Sequence, residues 1–299
     1  MTFITIKEVG PRDGLQNEKR IISTKDKISL VNALASTGLS YIEVTSFVKE
    51  KAIPSLSDAV DVFEGITKKD GVIYGCLVPN MKGYSRAKKS GAEEISVFLS
   101  CSEIHSKKNI NQTISQCLEE CRRVITEAKK DNIRVRAYLS MVFGCPDEGD
   151  IAIQKVEKLC LELLDMGVYE VSLGDTVGFA NPNQISTFFT TLSSEIPRNK
   201  LALHFHNTYG LALANIYESL KHGIITFDSS VGGLGGCPFA NGASGNVATE
   251  DVVYMLHQLG YQTNINESAF IPISRKMEKL LQKPLFSYVY QARKNSKDK

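Results

Sequence analysis

The stretch Ile224-Ile-Thr-Phe-Asp-Ser-Ser-Val231 runs straight into Gly232-Gly-Leu-Gly-Gly-Cys237-Pro-Phe-Ala-Asn-Gly-Ala-Ser-Gly-Asn246. Its first half is rich in β-branched and aromatic residues and reads as a strand. It is the eighth such run, after residues 3–9, 41–47, 72–78, 94–100, 133–142, 168–173 and 201–206. Their starts recur roughly every 30 residues, the length of one strand–helix unit. The segments between have helical periodicity, as in residues 24–37, where Ile28, Val31, Leu34 and Ala35 share a face. Gly38, Gly91, Gly167 and Gly223 each close a helical segment just before a strand, where a C-terminal capping glycine belongs. This alternation predicts an α/β fold, a (β/α)8 TIM barrel. A doubly wound sheet is disfavoured because no G-x-G-x-x-G opens a helix after the first strand. Further helices are expected at residues 248–259 and 272–282, giving a catalytic barrel over residues 1–247 and a helical extension, 248–299, packed on it.

Composition narrows the functional classes. With 42% apolar and 23% charged residues, the chain can build a large core beneath an ordinary surface. A formal net charge of +2, with basic residues scattered among acids, gives no electrostatic case for nucleic acid. No apolar run approaches the roughly 20 residues of a membrane span. The amino terminus reads as a strand and not as a targeting peptide. Seven cysteines without framework spacing point to free thiols in a reducing compartment.

In a barrel of this kind the reactive face lies at the carboxyl ends of the strands. Sorted by that rule, the polar residues give one cluster: Arg12 and Asp13 after strand 1, Glu43 in strand 2, Asp175 ending strand 6, His204 and His206 on strand 7, and Cys237 and Asn246 after strand 8. Imidazoles at i and i+2 on a strand point to one face. Asp13, His204, His206 and Asn246 then offer two oxygens and two nitrogens, leaving two positions open on an octahedral ion, so Mg²⁺ or Mn²⁺ is expected in preference to structural zinc. The alternative reading of the His pair is a hydrogen-bonded couple packed in the barrel. Glu43, pointing inward, needs a partner, and Arg12 is the natural one, although that pair could also serve only to hold the rim. A thiol in a glycine-dense loop beside a cation is set for proton transfer, whereas Cys76, Cys101 and Cys160 read as small buried hydrophobes.

Four segments carry a family resemblance: Glu8-Val-Gly-Pro-Arg-Asp-Gly-Leu-Gln-Asn17, Ser102-Glu-Ile-His-Ser-Lys-Lys-Asn-Ile-Asn111, His204-Phe-His-Asn-Thr-Tyr-Gly-Leu-Ala-Leu-Ala-Asn215 and Gly233-Leu-Gly-Gly-Cys-Pro-Phe-Ala-Asn-Gly-Ala-Ser-Gly-Asn246. Over about residues 4–290 the chain resembles the 3-hydroxy-3-methylglutaryl-CoA lyases. That resemblance implies cleavage of 3-hydroxy-3-methylglutaryl-CoA to acetyl-CoA and acetoacetate, late in leucine breakdown. It implies Cys237 as catalytic thiol, Arg12 contacting substrate, Glu43 and Asp175 assisting, and Gln16, Lys19 and Asn109 near the acyl-CoA. A cytoplasmic, bacterial enzyme is implied, since the leader and peroxisomal tripeptide of animal relatives are not seen; a homo-oligomer, first of all a dimer, is expected. The readings that compete are a synthase of the isopropylmalate or homocitrate kind, a 2-oxo-acid aldolase of the same superfamily, a non-haem Fe(II) oxygenase with a two-His, one-carboxylate triad, and a non-catalytic barrel.

Overall fold

The computed structural model describes residues 2–236 and 245–295. Eight strands form a closed barrel in sequence order, each parallel to its neighbours. They are β1 (Thr5–Glu8), β2 (Tyr41–Ser46), β3 (Ile73–Leu77), β4 (Glu94–Ser100), β5 (Arg134–Ser140), β6 (Glu170–Asp175), β7 (Leu201–Phe205) and β8 (Thr226–Ser229). The outer helices are α1 (Thr24–Leu34), α2 (Ala59–Gly65), α3 (Met81–Lys89), α4 (Glu103–Ile110), α5 (Ile114–Lys130), α6 (Ile153–Met166), α7 (Pro182–Thr191) and α8 (Ala212–Lys221). After β8 come α9 (Thr249–Gln258), α10 (Phe270–Leu281) and α11 (Tyr288–Arg293). In the chain α9 occupies the helix position of the eighth strand–helix unit, and α10 and α11 follow it.

The strands are buried on both faces: the side the helices cover is apolar, while Lys7, Glu43, Arg136 and Asp228 are among the buried strand residues too. Val97 and Leu99 of β4 and Val171 and Leu173 of β6 are all at most 1% exposed. On α1, Val31 and Leu34 are buried and Ile28 packs against the core, as the periodicity predicts, with Ala35 buried just beyond the helix. Gly38, Gly91, Gly167 and Gly223 all have positive φ, between 76° and 99°, the conformation that ends a helix cheaply only with glycine.

The departures have local causes. The first strand ends at Glu8 because the chain turns into a tight helical segment, Gly10–Gly14, begun by Pro11. The third helix after β8, α11, was not foreseen. Its first turn is bound from outside the segment: Asp251 of α9 accepts Tyr288 N at 2.9 Å and Val289 N at 2.8 Å, and Ser287 caps it.

Glu8 fastens the seam where the barrel closes. The four register pairs of β1 on β8 run from Thr5 with Thr226 to Glu8 with Ser229. Fully buried, the Glu8 carboxylate accepts Gly10 N (2.8 Å) and Val231 N (2.9 Å) at Oε1, and Thr249 Oγ1 (2.7 Å) at Oε2. Burial raises its pKa to about 7, against the pull of those three donors. A carboxyl raised from about 4.5 in the unfolded chain favours folding most below that value, and the benefit is lost as pH rises through about 7. Glu8→Gln keeps one oxygen to accept the Gly10 and Val231 amides, turns its own NH2 as donor toward Thr249 Oγ1, and removes the titration. The difference in Tm between Glu8→Gln and the parent, followed by calorimetry, should therefore move in the variant's favour between pH 5 and pH 8; a constant difference would contradict the buried, raised carboxyl.

Candidate active site

The carboxyl ends of the strands open into a cleft of about 920 Å³, and Arg12, Asp13, His204 and His206 line it. Each reaches it for a local reason. The turn after β1 presents Arg12 and Asp13, while β7 presents His204 and, one residue beyond its end, His206. Residues 245–248 fold back across β7 and β8: Val247 N donates to Phe205 O at 3.1 Å and Ser230 N to Val247 O at 3.0 Å. His206 and Asn246 form an antiparallel bridge, which sets Asn246 beside the histidine.

The ligand atoms of Asp13, His204 and His206 lie within 4.8 Å of one another. Asn246 Nδ2 donates to Asp13 Oδ2 at 2.7 Å, so its amide group completes the cluster. Both Nδ1 atoms of the two histidines are buried without a hydrogen-bond partner among the described residues. Desolvation, and then the neighbouring His204, pushes His206 down to about 3, so it is a neutral donor at physiological pH. Burial would raise Asp13, but Arg12 and the two imidazoles outweigh it and hold the carboxyl at about 2. One carboxylate and two imidazoles at one point, with the Asn246 amide beside the carboxylate, fit a divalent cation.

Arg12 is buried and doubly paired, Nε to Glu43 Oε2 and Nη1 to Asp13 Oδ1, each at 2.5 Å. Desolvation opposes its charge, yet Glu43 and Asp13 together raise its pKa, so it stays cationic. The sequence reading missed Tyr138 of β5. Its ring lies 5.1 Å from the Arg12 guanidinium and 4.9 Å from that of Arg136, and its edge packs against His204. An aromatic two residues from an arginine inside a strand was the available signal, since alternation puts both on one face.

The HMGL-like family profile matches residues 4–277. The chain belongs to the HMGL-like family. This family member is 51% identical over 293 residues to hydroxymethylglutaryl-CoA lyase YngG of Bacillus subtilis, covering 98% of each chain. It is 48% identical over 274 residues to a Pseudomonas aeruginosa enzyme named 3-hydroxy-3-isohexenylglutaryl-CoA/hydroxy-methylglutaryl-CoA lyase, covering 92% of this chain and 91% of that one. The crystal structure of the B. subtilis HMG-CoA lyase superposes with a TM-score of 0.97 at 50% identity, covering 99% of each chain. An Acinetobacter baumannii HMG-CoA lyase in complex with coenzyme A and 3-methylmalate gives 0.93 at 39% identity, covering 99% of this chain and 97% of that one. This HMGL-like chain is a lyase.

Other expected site residues divide. Gln16 and Asn109 line the cleft, and Gln16 Oε1 is buried with no partner among the described residues. Lys19 is exposed in the bend after the Gly10–Gly14 turn and is not among the cleft-lining residues. Asp175 has both carboxylate oxygens engaged by backbone, Phe179 N at 2.9 Å and Ala180 N at 3.0 Å, and burial raises it to about 6. It ends β6 as expected but anchors the following loop instead of lining the cleft. Cys237 lies outside the described residues.

Replacing one neutral ligand tests the cluster. His206→Ala should keep the circular dichroism spectrum and weaken Mn²⁺ binding by at least about 10-fold, followed by the electron paramagnetic resonance of the free ion. Parent-like affinity in the variant would remove His206 from the cation site.

Proposed function

We propose that the chain cleaves 3-hydroxy-3-methylglutaryl-CoA to acetyl-CoA and acetoacetate, as part of leucine degradation, with Mg²⁺ or Mn²⁺ bound by Asp13, His204, His206 and Asn246. The observation that carries this reading is the convergence of that ligand set with a doubly paired Arg12 in one cleft. Its proposed setting is the cytoplasm, as a homodimer. The barrel itself weighs against an oxygenase triad, which is ordinarily carried on antiparallel strands.

Carbon–carbon cleavage beside a tertiary alcohol removes the hydroxyl proton and leaves an enolate on the thioester. The bound cation would acidify the C3 hydroxyl and orient it with a neighbouring oxygen. Arg12, kept cationic and fixed in direction by Glu43 and Asp13, offers its guanidinium to the enolate oxygen as charge develops there. Glu43 acts through Arg12, because its only described hydrogen bond goes there. Asp175 acts through the loop it anchors, holding residues 178–180 at the rim. Gln16 and Asn109 are assigned to acyl-CoA contacts, and Lys19, from its exposed bend, to the outer part of the same ligand. Cys237 Sγ is assigned the proton that converts the enolate to acetyl-CoA, without a covalent acyl intermediate.

The direct test is to incubate the purified protein with 3-hydroxy-3-methylglutaryl-CoA and Mg²⁺ and measure acetoacetate; its absence with the metal site loaded would overturn the assignment. In that assay Arg12→Gln should lower kcat by on the order of 10²-fold or more with little change in KM, because the contact strengthens only in the transition state. A change in KM alone would make Arg12 a binding residue.

Cys237→Ser should fold and bind Mn²⁺ as the parent does but turn over slowly, a hydroxyl being a far weaker acid than a thiol. Trapping an acyl-Cys237 species by mass spectrometry during turnover would replace the proton-carrier role with a nucleophilic one.

A further inference from the structure

Beneath the cation site the barrel interior holds a second set of buried charges that the reaction does not use. At its centre is Asp228 of β8, with a fully buried side chain. It is the cross-strand register partner of His204 in β7. Arg136 of β5 donates through Nη2 to Asp228 Oδ1 at 2.7 Å and through Nη1 to Oδ2 at 3.3 Å. Ser172 of β6 donates to Oδ2 at 2.8 Å. Oδ2 thus accepts two of these bonds, but the one from Arg136 Nη1 is long, beyond the usual range of roughly 2.7–3.2 Å, so only Ser172 takes a full share of that oxygen. The remaining neighbour is His204, whose Nδ1 lies 3.4 Å from Oδ2 and has no other partner among the described residues. A small rotation of the imidazole brings that separation into hydrogen-bond range.

We propose that Asp228 is a positioning residue that accepts the Nδ1–H of His204, fixing the tautomer and ring orientation that present Nε2 to the cation. This rests on reading Asp13, His204, His206 and Asn246 as the cation site. A neutral imidazole carries its proton on either nitrogen, and only the bare one can bind a metal. A carboxylate at Nδ1 selects the tautomer with Nε2 bare and increases its basicity. The remainder of the set keeps Asp228 in place. Arg136 Nε is held by Glu170 Oε1 at 2.6 Å, and Lys7 Nζ lies 3.0 Å from the same oxygen. Asp228 is thus gripped by strands β5 and β6 while it faces β7.

The alternative is that Asp228 only neutralises Arg136 in the core. Two measurements separate the readings. In metal-free parent protein, ¹⁵N-edited NMR of the imidazoles at a pH where the ring is neutral should show His204 protonated at Nδ1; an Nε2–H tautomer overturns the proposal, whatever any variant does. In Asp228→Asn, Mn²⁺ affinity by electron paramagnetic resonance should fall about 10- to 100-fold, the usual effect of removing such a partner. At saturating Mn²⁺ the KM for the acyl-CoA should stay unchanged. Glu94→Gln is the control, because Glu94 sits among the same buried groups but bonds Tyr169 and pairs with Arg134. Its Mn²⁺ affinity should match the parent within about twofold; equal losses in both variants would reduce Asp228 to a core ion pair. If the parent binds Mn²⁺ and Asp228→Asn binds it equally well, this inference fails and the cation site stands. If the parent does not bind Mn²⁺, the cation-site reading fails and takes this inference with it.

Discussion

The site exists only because β1 pairs with β8. That seam joins residues about 220 positions apart through strands of four residues each, a small ladder for so long a loop. Glu8 supplements the ladder from within, tying its own turn at Gly10 to Val231 and to Thr249 at the start of α9. Removing the acceptor would leave three buried donors unsatisfied, at about 1–3 kcal/mol each. The space is also exclusive: a Cβ on Gly10 would stand 2.6 Å from Glu8 Oε1. With the seam closed, Asp13 from one end of the barrel lies 2.7 Å from Asn246 at the other. The cluster of Asp13, His204, His206 and Asn246 is a consequence of closure, since only its His204–His206 pair is local in the chain.

The interior that closure creates is charged. Arg12 with Glu43 and Asp13 occupies the mouth, Arg136 with Asp228 and Glu170 lies beneath, and the Tyr138 ring contacts both guanidinium groups. Such groups are weak contributors to net stability, because desolvation consumes most of the Coulomb attraction. Their effect is on geometry. Once buried, no partner can leave without stranding a charge, at about 3–5 kcal/mol. Arg12 therefore has one available direction, and Asp13 presents a fixed, ionised carboxylate to the imidazoles. The same argument applied one level down restrains Asp228 against His204.

How much of this the sequence discloses follows from the range of each interaction. Strand–helix alternation and terminal glycines are local, so all eight strands, the helix that follows β1 and the four left-handed caps were legible. The i and i+2 spacing of His204 and His206 is equally local, and the barrel rule extends it to Asp13 and Asn246. Residues whose meaning depends on a partner across the barrel were not legible. Asp228 sits in an apolar run, where an acid reads as solvent-facing, and nothing nearby in the chain announces Arg136 or Ser172. Glu8 stood within a quoted segment, yet two of its three partners lie over 200 residues away. Lys19 shows the converse: its place in a segment suggested the cleft, but the chain leaves the cleft after Gln16 and Asn17. The helix α11 was missed because six residues are too few for periodicity, and much of its order is imposed by Asp251.

Those last helices belong to the frame of the site. Gly232, the first residue beyond the strand-like run that ends at Val231, is held from the carboxyl-terminal side of the chain. Its amide donates to Glu250 of α9, whose carboxylate also accepts the Ser274 hydroxyl of α10. Its carbonyl accepts Phe286 N at 3.1 Å. Leu285 packs so close that a Cβ on Gly232 would meet Cδ1 at 2.5 Å, and at φ 65° an L side chain would be strained in any case. Asp251, next to Glu250, secures α11. Two adjacent acids on α9 thus hold the departure point of the segment that leads to Cys237 and the helix that closes the described chain. The fixed point from which that segment begins is supplied from the far end of the chain.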